Sequence, residues 1–133
     1  MQIVVKNKDT LLYDEFEFKC CVGINGISFS KKEGDKKTPG GSYSLGPIYK
    51  FYNTIINTNK KIKHEKLFKK NKNYDLLIPI LYNTNKPKKN KGSAIFLHLT
   101  KNYKGTLGCI GLKKNDMLIL LKLINKKTKI KII

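Results

Sequence analysis

The chain is 133 residues long, a length suited to one folded domain, since single cores span roughly 50–200 residues. It is 40% hydrophobic, 10% aromatic and 28% charged, which excludes collagen-like, coiled-coil and wholly disordered chains. Its 28 basic residues face 9 acidic ones for a net charge of +19, and its apolar runs fall well short of the roughly 18–20 residues that a membrane-spanning helix needs.

The first strand is expected at Ile3-Val4-Val5 and the second over residues 16–22, where Cys20 and Cys21 alternate sides so that one faces the core. Asn25-Gly26 marks a turn, and Gly34-Asp35 and Pro39-Gly40-Gly41 mark two more before a short strand at Tyr43-Ser44-Leu45. Residues 57–73 are rich in Lys and Asn with sparse apolar positions, and read as a surface excursion or a marginal helix carrying His64. Strands follow over residues 74–81 and 93–99, separated by Lys86-Pro87 and a Lys/Asn stretch ending at Gly92. One helix is expected late, capped by Asn115 or Asp116, with Met117, Leu118, Leu120, Leu121 and Ile124 at helical spacing as a core-facing stripe. The tail Lys129-Ile130-Lys131-Ile132 alternates as a half-buried strand does. Many short strands and one late amphipathic helix predict a mainly β fold, with residues 1–133 forming a single domain.

The residues able to do chemistry cluster in one stretch, Ser93-Ala-Ile-Phe-Leu-His98-Leu-Thr-Lys-Asn-Tyr-Lys-Gly105-Thr-Leu-Gly108-Cys109-Ile-Gly-Leu112. A strand that delivers a histidine, followed by a turn that delivers a cysteine, brings imidazole and thiol towards hydrogen-bond reach, where a neighbouring imidazolium lowers the thiol pKa and makes a nucleophile. Gly108 frees the backbone to present N–H groups of the kind an oxyanion needs. Against that stands the plainer reading, in which Cys109 is a small buried hydrophobe and His98 a structural residue. A second landmark is Lys32-Glu33-Gly34-Asp35-Lys-Lys-Thr38-Pro39-Gly40-Gly41. It is a glycine-rich turn lacking the Gly-Lys-Ser/Thr ending of a phosphate loop, and by spacing alone Glu33 and Asp35 are solvated turn residues. Cys20, Cys21 and Cys109 make an odd count with no Cys/His spacing that suggests zinc.

Taken together and in this order, four segments resemble the L,D-transpeptidase catalytic-domain (YkuD-type) family, especially its short branch. They are Lys32-Glu33-Gly34-Asp35 with Thr38-Pro39-Gly40, then Tyr74-Asp75-Leu76 through Leu81-Tyr82-Asn83, then Gly92 to Leu99, and finally Thr106-Leu107-Gly108-Cys109-Ile110-Gly111-Leu112. The resemblance runs from about Cys21 to the C-terminus. It implies a β-sandwich-like domain with its site in a cleft, and a cysteine that attacks the peptide bond after the third residue of a peptidoglycan stem. The thioester then passes to an amine on a neighbouring stem, giving a 3–3 cross-link, and no metal or organic cofactor is needed. Carried over residue by residue, Cys109 is the nucleophile and His98 the base. The resemblance further implies an oxyanion hole made by backbone N–H groups of Leu107, Gly108 and Cys109, and substrate binding by Thr106, Glu33, Asp35 and Thr38. Leu107 and Gly111 stand where many members have His and Arg, which leaves the substrate contacts of that arginine unassigned.

The reading that follows is a cysteine acyltransferase acting on peptidoglycan or muropeptide stem peptides. Two rivals remain: an L,D-carboxypeptidase or amidase on the same scaffold, and a non-catalytic basic domain that binds polyanions. Lysine without arginine, beside abundant Asn and Ile, is what A- and T-rich codons produce. No helix-turn-helix or RNA-binding aromatic pattern is visible, so specific nucleic-acid binding is not expected. Met1-Gln-Ile-Val-Val-Lys lacks the basic, apolar and small-residue regions of a secretory signal. The expected location is therefore the cytoplasm, or the periplasm and cell envelope if the protein is exported otherwise or its leader has been lost.

Overall fold

The computed structural model describes residues 2–50, 54–55 and 75–133. The excursion expected over 57–73, with His64, lies outside the described residues.

Strands β1 (Gln2–Lys6), β2 (Thr10–Tyr13) and β3 (Phe16–Cys21) pair antiparallel in succession. Near the other end of the chain, β12 (Lys129–Ile132) lies parallel to β1, with Ile3 opposite Ile130 and Val5 opposite Ile132. All four of these side chains are fully buried while Lys129 and Lys131 are exposed. A one-residue slip would turn both lysines into the core, so the alternation itself fixes the register.

β3 bends between two halves of the sheet. Phe16 to Lys19 pair with β2, whereas Cys20 and Cys21 pair with β11 (Ile110–Leu112). Next to β11 come β10 (Phe96–Leu99), β9 (Leu76–Pro79), β7 (Tyr49–Lys50) and β8 (Thr54–Ile55), and outside β12 lies β6 (Gly41–Ser44). The sheet curls until β6 comes back to β9. The Gly46 N–H donates to the Pro79 carbonyl (2.7 Å), and the Leu81 N–H donates to that of Ser44 (2.9 Å). This closure gives the sandwich-like, mainly β architecture expected from the sequence. Two further strands, β4 (Ile27–Ser28) and β5 (Thr38–Pro39), form a separate parallel ladder.

The curled sheet encloses a core that includes Ile3, Val5, Leu11, Phe18, Cys20, Ile78, Leu97, Ile110 and Leu112, and helix α1 (Lys114–Leu123) adds Met117 and Leu120. Each such side chain contributes about 1.5–3 kcal/mol when buried, so the fold draws its stability from this interior and the opposite face of the sheet is left for other work. The helix starts earlier than its expected cap at Asn115 or Asp116. Lys113 is the N-cap, without a side-chain hydrogen bond, because β11 ends at Leu112 and the chain turns at once into the helix. Asp116 sits in the first turn, where its charge suits the helix dipole. The buried stripe is narrower than expected: Met117 and Leu120 are buried, but Leu118 is exposed. The strand expected over 93–99 begins only at Phe96, and β2, β7 and β11 had no clear strand signal of their own.

Candidate active site

β10 has two buried faces. Leu97 and Leu99 point into the core, so His98 between them points out of it, yet it is only 6% exposed. Register explains the burial. Across the sheet His98 is paired with Leu77 on one side and Gly111 on the other, Leu77 with Tyr49, and Gly111 with Cys21. Paired residues share a face, so Tyr49, Leu77, His98, Gly111 and Cys21 form one buried row outside the main core.

Cys109 immediately precedes β11. Extending the parallel register by one residue sets it opposite Phe96, two residues before Gly111, on the same face as His98. Diagonal neighbours on a sheet lie roughly 7–8 Å apart, within reach of an imidazole and a thiol turned towards each other. The sulfur lies against the edge of β10. Its thiol faces the Ala94 carbonyl at 3.5 Å, and it accepts the Phe96 N–H. Ala94 holds that carbonyl in place from a left-handed conformation (φ 57°), uncommon for a residue with a Cβ.

The protonation states follow from the surroundings. Nδ1 of His98 lies 2.8 Å from the Leu99 carbonyl. A carbonyl only accepts, so Nδ1 carries the proton and Nε2 is the basic nitrogen of the neutral ring. Burial holds the imidazole pKa below its ordinary value, against the pull of the Leu99 bond. Burial likewise pushes the Cys109 thiol up to about 11, against the Phe96 N–H and the Lys31 charge, which lower it. The resting pair is therefore a neutral thiol and a neutral imidazole. Burial thus weighs against charge on either group, and the lowering contacts at the sulfur are the Phe96 N–H and the Lys31 charge.

Two threonine hydroxyls hold the cysteine turn from either side. Thr106 donates to the Cys109 carbonyl (2.6 Å) and accepts the Gly108 N–H (3.0 Å). Thr38, fully buried, accepts the Gly23 N–H (2.8 Å) and donates to the Gly108 carbonyl (2.8 Å). Gly23 in turn bridges Thr106, which closes the ring. The Gly108 N–H, expected in the oxyanion hole, is thus engaged by Thr106, and Leu107 carries an exposed side chain beside it. Gly108 itself has φ 143°, and a Cβ there would lie 3.0 Å from the Lys37 carbonyl oxygen, so only glycine makes this turn.

A Cβ at Gly111 would fall 2.7 Å from the Cys21 sulfur and 3.0 Å from Thr100 Cβ. Position 111 is therefore closed to the arginine that the resemblance suggested. Cys20 and Cys21 are both buried, on opposite faces of β3, and burial raises both thiols, that of Cys20 to about 12.

The glycine-rich turn is folded around Asp35. One carboxylate oxygen accepts from Lys31 Nζ (2.7 Å) and the Lys37 N–H (2.9 Å), the other from the Lys32 N–H (2.8 Å). Burial opposes ionisation, but these bonds and the Lys31 charge prevail and hold the carboxyl at about 2. Glu33 is exposed. Lys31 is the residue that sequence reading passed over: it is 6% exposed in a chain whose lysines otherwise read as solvated surface. The one available signal was its place four residues before Asp35, and nothing in the sequence marks such a pair as buried. The backbone contacts of Ala94 and Phe96 to the sulfur are equally silent in sequence, since they depend on strand register.

Among the described residues no three His, Cys, Asp or Glu side chains converge as metal ligands would, and no helix is long and apolar enough to cross a membrane.

Comparison with known proteins agrees with this architecture. The L,D-transpeptidase catalytic domain (YkuD) family model matches residues 1–132. Among solved structures, Bd1075 of Bdellovibrio bacteriovorus is 21% identical with a TM-score of 0.62, over 99% of this chain and 47% of its own. The helical cell shape determining protein Pgp2 of Campylobacter jejuni is 19% identical with a TM-score of 0.62, over 98% of this chain and 46% of its own. Its K307A mutant structure is similar at 20% identity and a TM-score of 0.63. This chain thus spans less than half the length of these proteins. None of the curated proteins is similar enough to count as a match. With nearly its whole length matched by the family model, the chain belongs to the L,D-transpeptidase catalytic-domain (YkuD) family.

Proposed function

We propose that the protein is a cysteine acyltransferase acting on peptidoglycan stem peptides through a thioester on Cys109. The observation that carries this reading is the β10–β11 register, which sets His98 and Cys109 on one face with the imidazole tautomer fixed by Leu99. Because thiol and imidazole are both neutral at rest, the proton moves as the sulfur attacks. Nε2 of His98 takes the thiol proton, the sulfur bonds to the carbonyl carbon after the third stem residue, and the carbonyl oxygen becomes an oxyanion. The N–H groups of Leu107 and Cys109 are its donors, since that of Gly108 serves Thr106. As the C–N bond breaks, the imidazolium returns its proton to the departing amine. An amine of a second stem then attacks the thioester carbonyl; the C–S bond breaks, and His98 passes the amine proton to the departing sulfur, which restores the Cys109 thiol and leaves the cross-link. Thr106 and Thr38 act as positioning residues that hold the cysteine turn, and Asp35 shapes the neighbouring loop.

Incubation with a tetrapeptide stem, read by intact-protein and product mass spectrometry, tests this. The expected result is a protein mass increased by the acyl tripeptide, release of the fourth residue, and a cross-linked product when amine acceptor is supplied. C109A should give neither adduct nor product. A tripeptide formed at the same rate and yield with or without amine would make the protein a carboxypeptidase, and turnover by C109A would overturn the mechanism.

A further inference from the structure

Among the residues lining a cleft of about 340 Å³ are Lys31, Pro39, Gly40, Tyr82, Lys88 and Lys91, with no carboxylate. Its walls belong to segments that also reach the cysteine turn, and a Cβ on Gly92, two residues before Ala94, would lie 3.5 Å from Lys31 Nζ. Pro39 and Gly40 follow Thr38, whose hydroxyl holds the Gly108 carbonyl, and Lys91 lies three residues before Ala94, whose carbonyl faces the thiol. Lys31 is the buried charge in this cleft. Its ammonium donates to Asp35 (2.7 Å) and to the Lys32 carbonyl (3.3 Å), which leaves one of three N–H donors for a ligand. Asp35 is itself fixed by two backbone N–H groups, so the cation is held in place before any ligand arrives. The hydroxyls of Tyr43 and Tyr82 serve the backbone at Gly40 and Lys91, so the charged donors the cleft offers an anion are its lysines.

We infer that Lys31 is a specificity-determining residue that binds the free C-terminal carboxylate of the substrate's departing residue, so that the enzyme acts only at the end of a stem. This rests on the proposed acyl transfer at Cys109. A substrate with its scissile carbonyl at the sulfur has one residue beyond that bond, and one residue spans at most about 3.6 Å. Its terminal carboxylate therefore stays near the sulfur, on the side where the Gly92–Ala94 segment passes Lys31, and a longer peptide would carry its carboxylate past that position. The influence of the Lys31 charge on the Cys109 thiol is consistent with this proximity.

The test compares acylation of the wild-type protein by a tetrapeptide stem with a free terminus, by its C-terminal carboxamide, and by a stem whose side-chain carboxylate is amidated instead. A charge-assisted hydrogen bond to a buried site implies that kcat/KM falls about 10- to 100-fold for the carboxamide and little for the side-chain amide. In K31M/D35N, which removes both members of the ion pair so that no carboxylate is stranded, the free acid and the carboxamide should react alike; K31R should keep part of the discrimination. Binding of the same three peptides to C109A gives a readout independent of chemistry and should show the same order. Equal rates for acid and carboxamide in the wild type, or loss of discrimination only on side-chain amidation, would overturn the assignment to Lys31 while leaving acyl transfer standing. Absence of any adduct from all three peptides would remove both.

Discussion

Thr38 offers the sharpest test of how the site is held together. Its side chain is fully buried, and its one hydroxyl joins two segments by accepting the Gly23 N–H and donating to the Gly108 carbonyl, both at 2.8 Å. T38V keeps the shape and removes both bonds, leaving a buried N–H and a buried carbonyl without partners. Each such orphan costs about 1–3 kcal/mol, so the variant should lose about 2–6 kcal/mol of stability. For a domain of this size, each kcal/mol shifts the melting midpoint by roughly 3–5 °C, which gives a fall of roughly 6–30 °C. T38S is the control: it keeps the hydroxyl, loses one methyl, and should cost only about 1 kcal/mol. Urea unfolding of the three proteins, read at constant m-value, separates the two effects. The same loss loosens the turn that carries Cys109, so acylation by T38V should fall at temperatures where it remains folded. If T38V were as stable as T38S, within about 0.5 kcal/mol, the hydroxyl bridge would not be holding the turn and the account of the ring would fail.

Other outcomes follow from the same contacts. G111A pushes a methyl to 2.7 Å from the Cys21 sulfur and should destabilise by about 1–3 kcal/mol, with C21A relieving part of it in a double-mutant cycle; strict additivity would argue against the contact. Alkylation of Cys109 by iodoacetamide should keep rising with pH towards about 11, since the reactive thiolate is scarce at neutral pH; a plateau near pH 7 would show a preformed thiolate. His98 has a lowered pKa in the folded state, so the unfolded chain binds its proton first as pH falls. The native state therefore loses stability below about pH 6.5, and H98N should flatten that slope in melting curves taken from pH 7 to 5. By the same shift, the acid limb of kcat/KM should lie below pH 6.5, and a limb above it would contradict burial as the dominant influence on the imidazole.

Much of the fold was legible because alternation leaves little choice. Residues 129–132 read as a half-buried strand from four side chains alone, and the strand that carries His98 was visible as an apolar run. β11 was not, because three residues between a glycine turn and a helix carry no period to detect. The site was legible as an ordered set of motifs, so Cys109 and His98 came forward early, but its electrostatics were not. Whether a thiol sits beside an imidazolium or in a dry pocket depends on what covers it, and a sequence does not display coverage. Gly108 illustrates the middle ground. A threonine two residues before a glycine can capture that glycine's N–H with its own hydroxyl, a local rule available in the sequence, and here it engages an N–H that motif reasoning had placed in the oxyanion hole. Gly111 and Lys31 lay beyond reach, since each owes its role to a partner set by tertiary packing: Cys21 across a strand, and a cleft wall made by a distant loop.

The parallel contact between β1 and β12 has a consequence for biosynthesis. Because β12 fits between β6 and β1, a strand made late belongs inside the sheet rather than at its edge, and a nascent chain must carry two unsatisfied edges until residues 129–132 have emerged. Joining segments so far apart along the polypeptide is slow, and open edges in the meantime invite pairing with other chains. Maturation of this domain therefore has to wait for translation through residue 132, and a message truncated just before it would release a sticky product with its core unsealed.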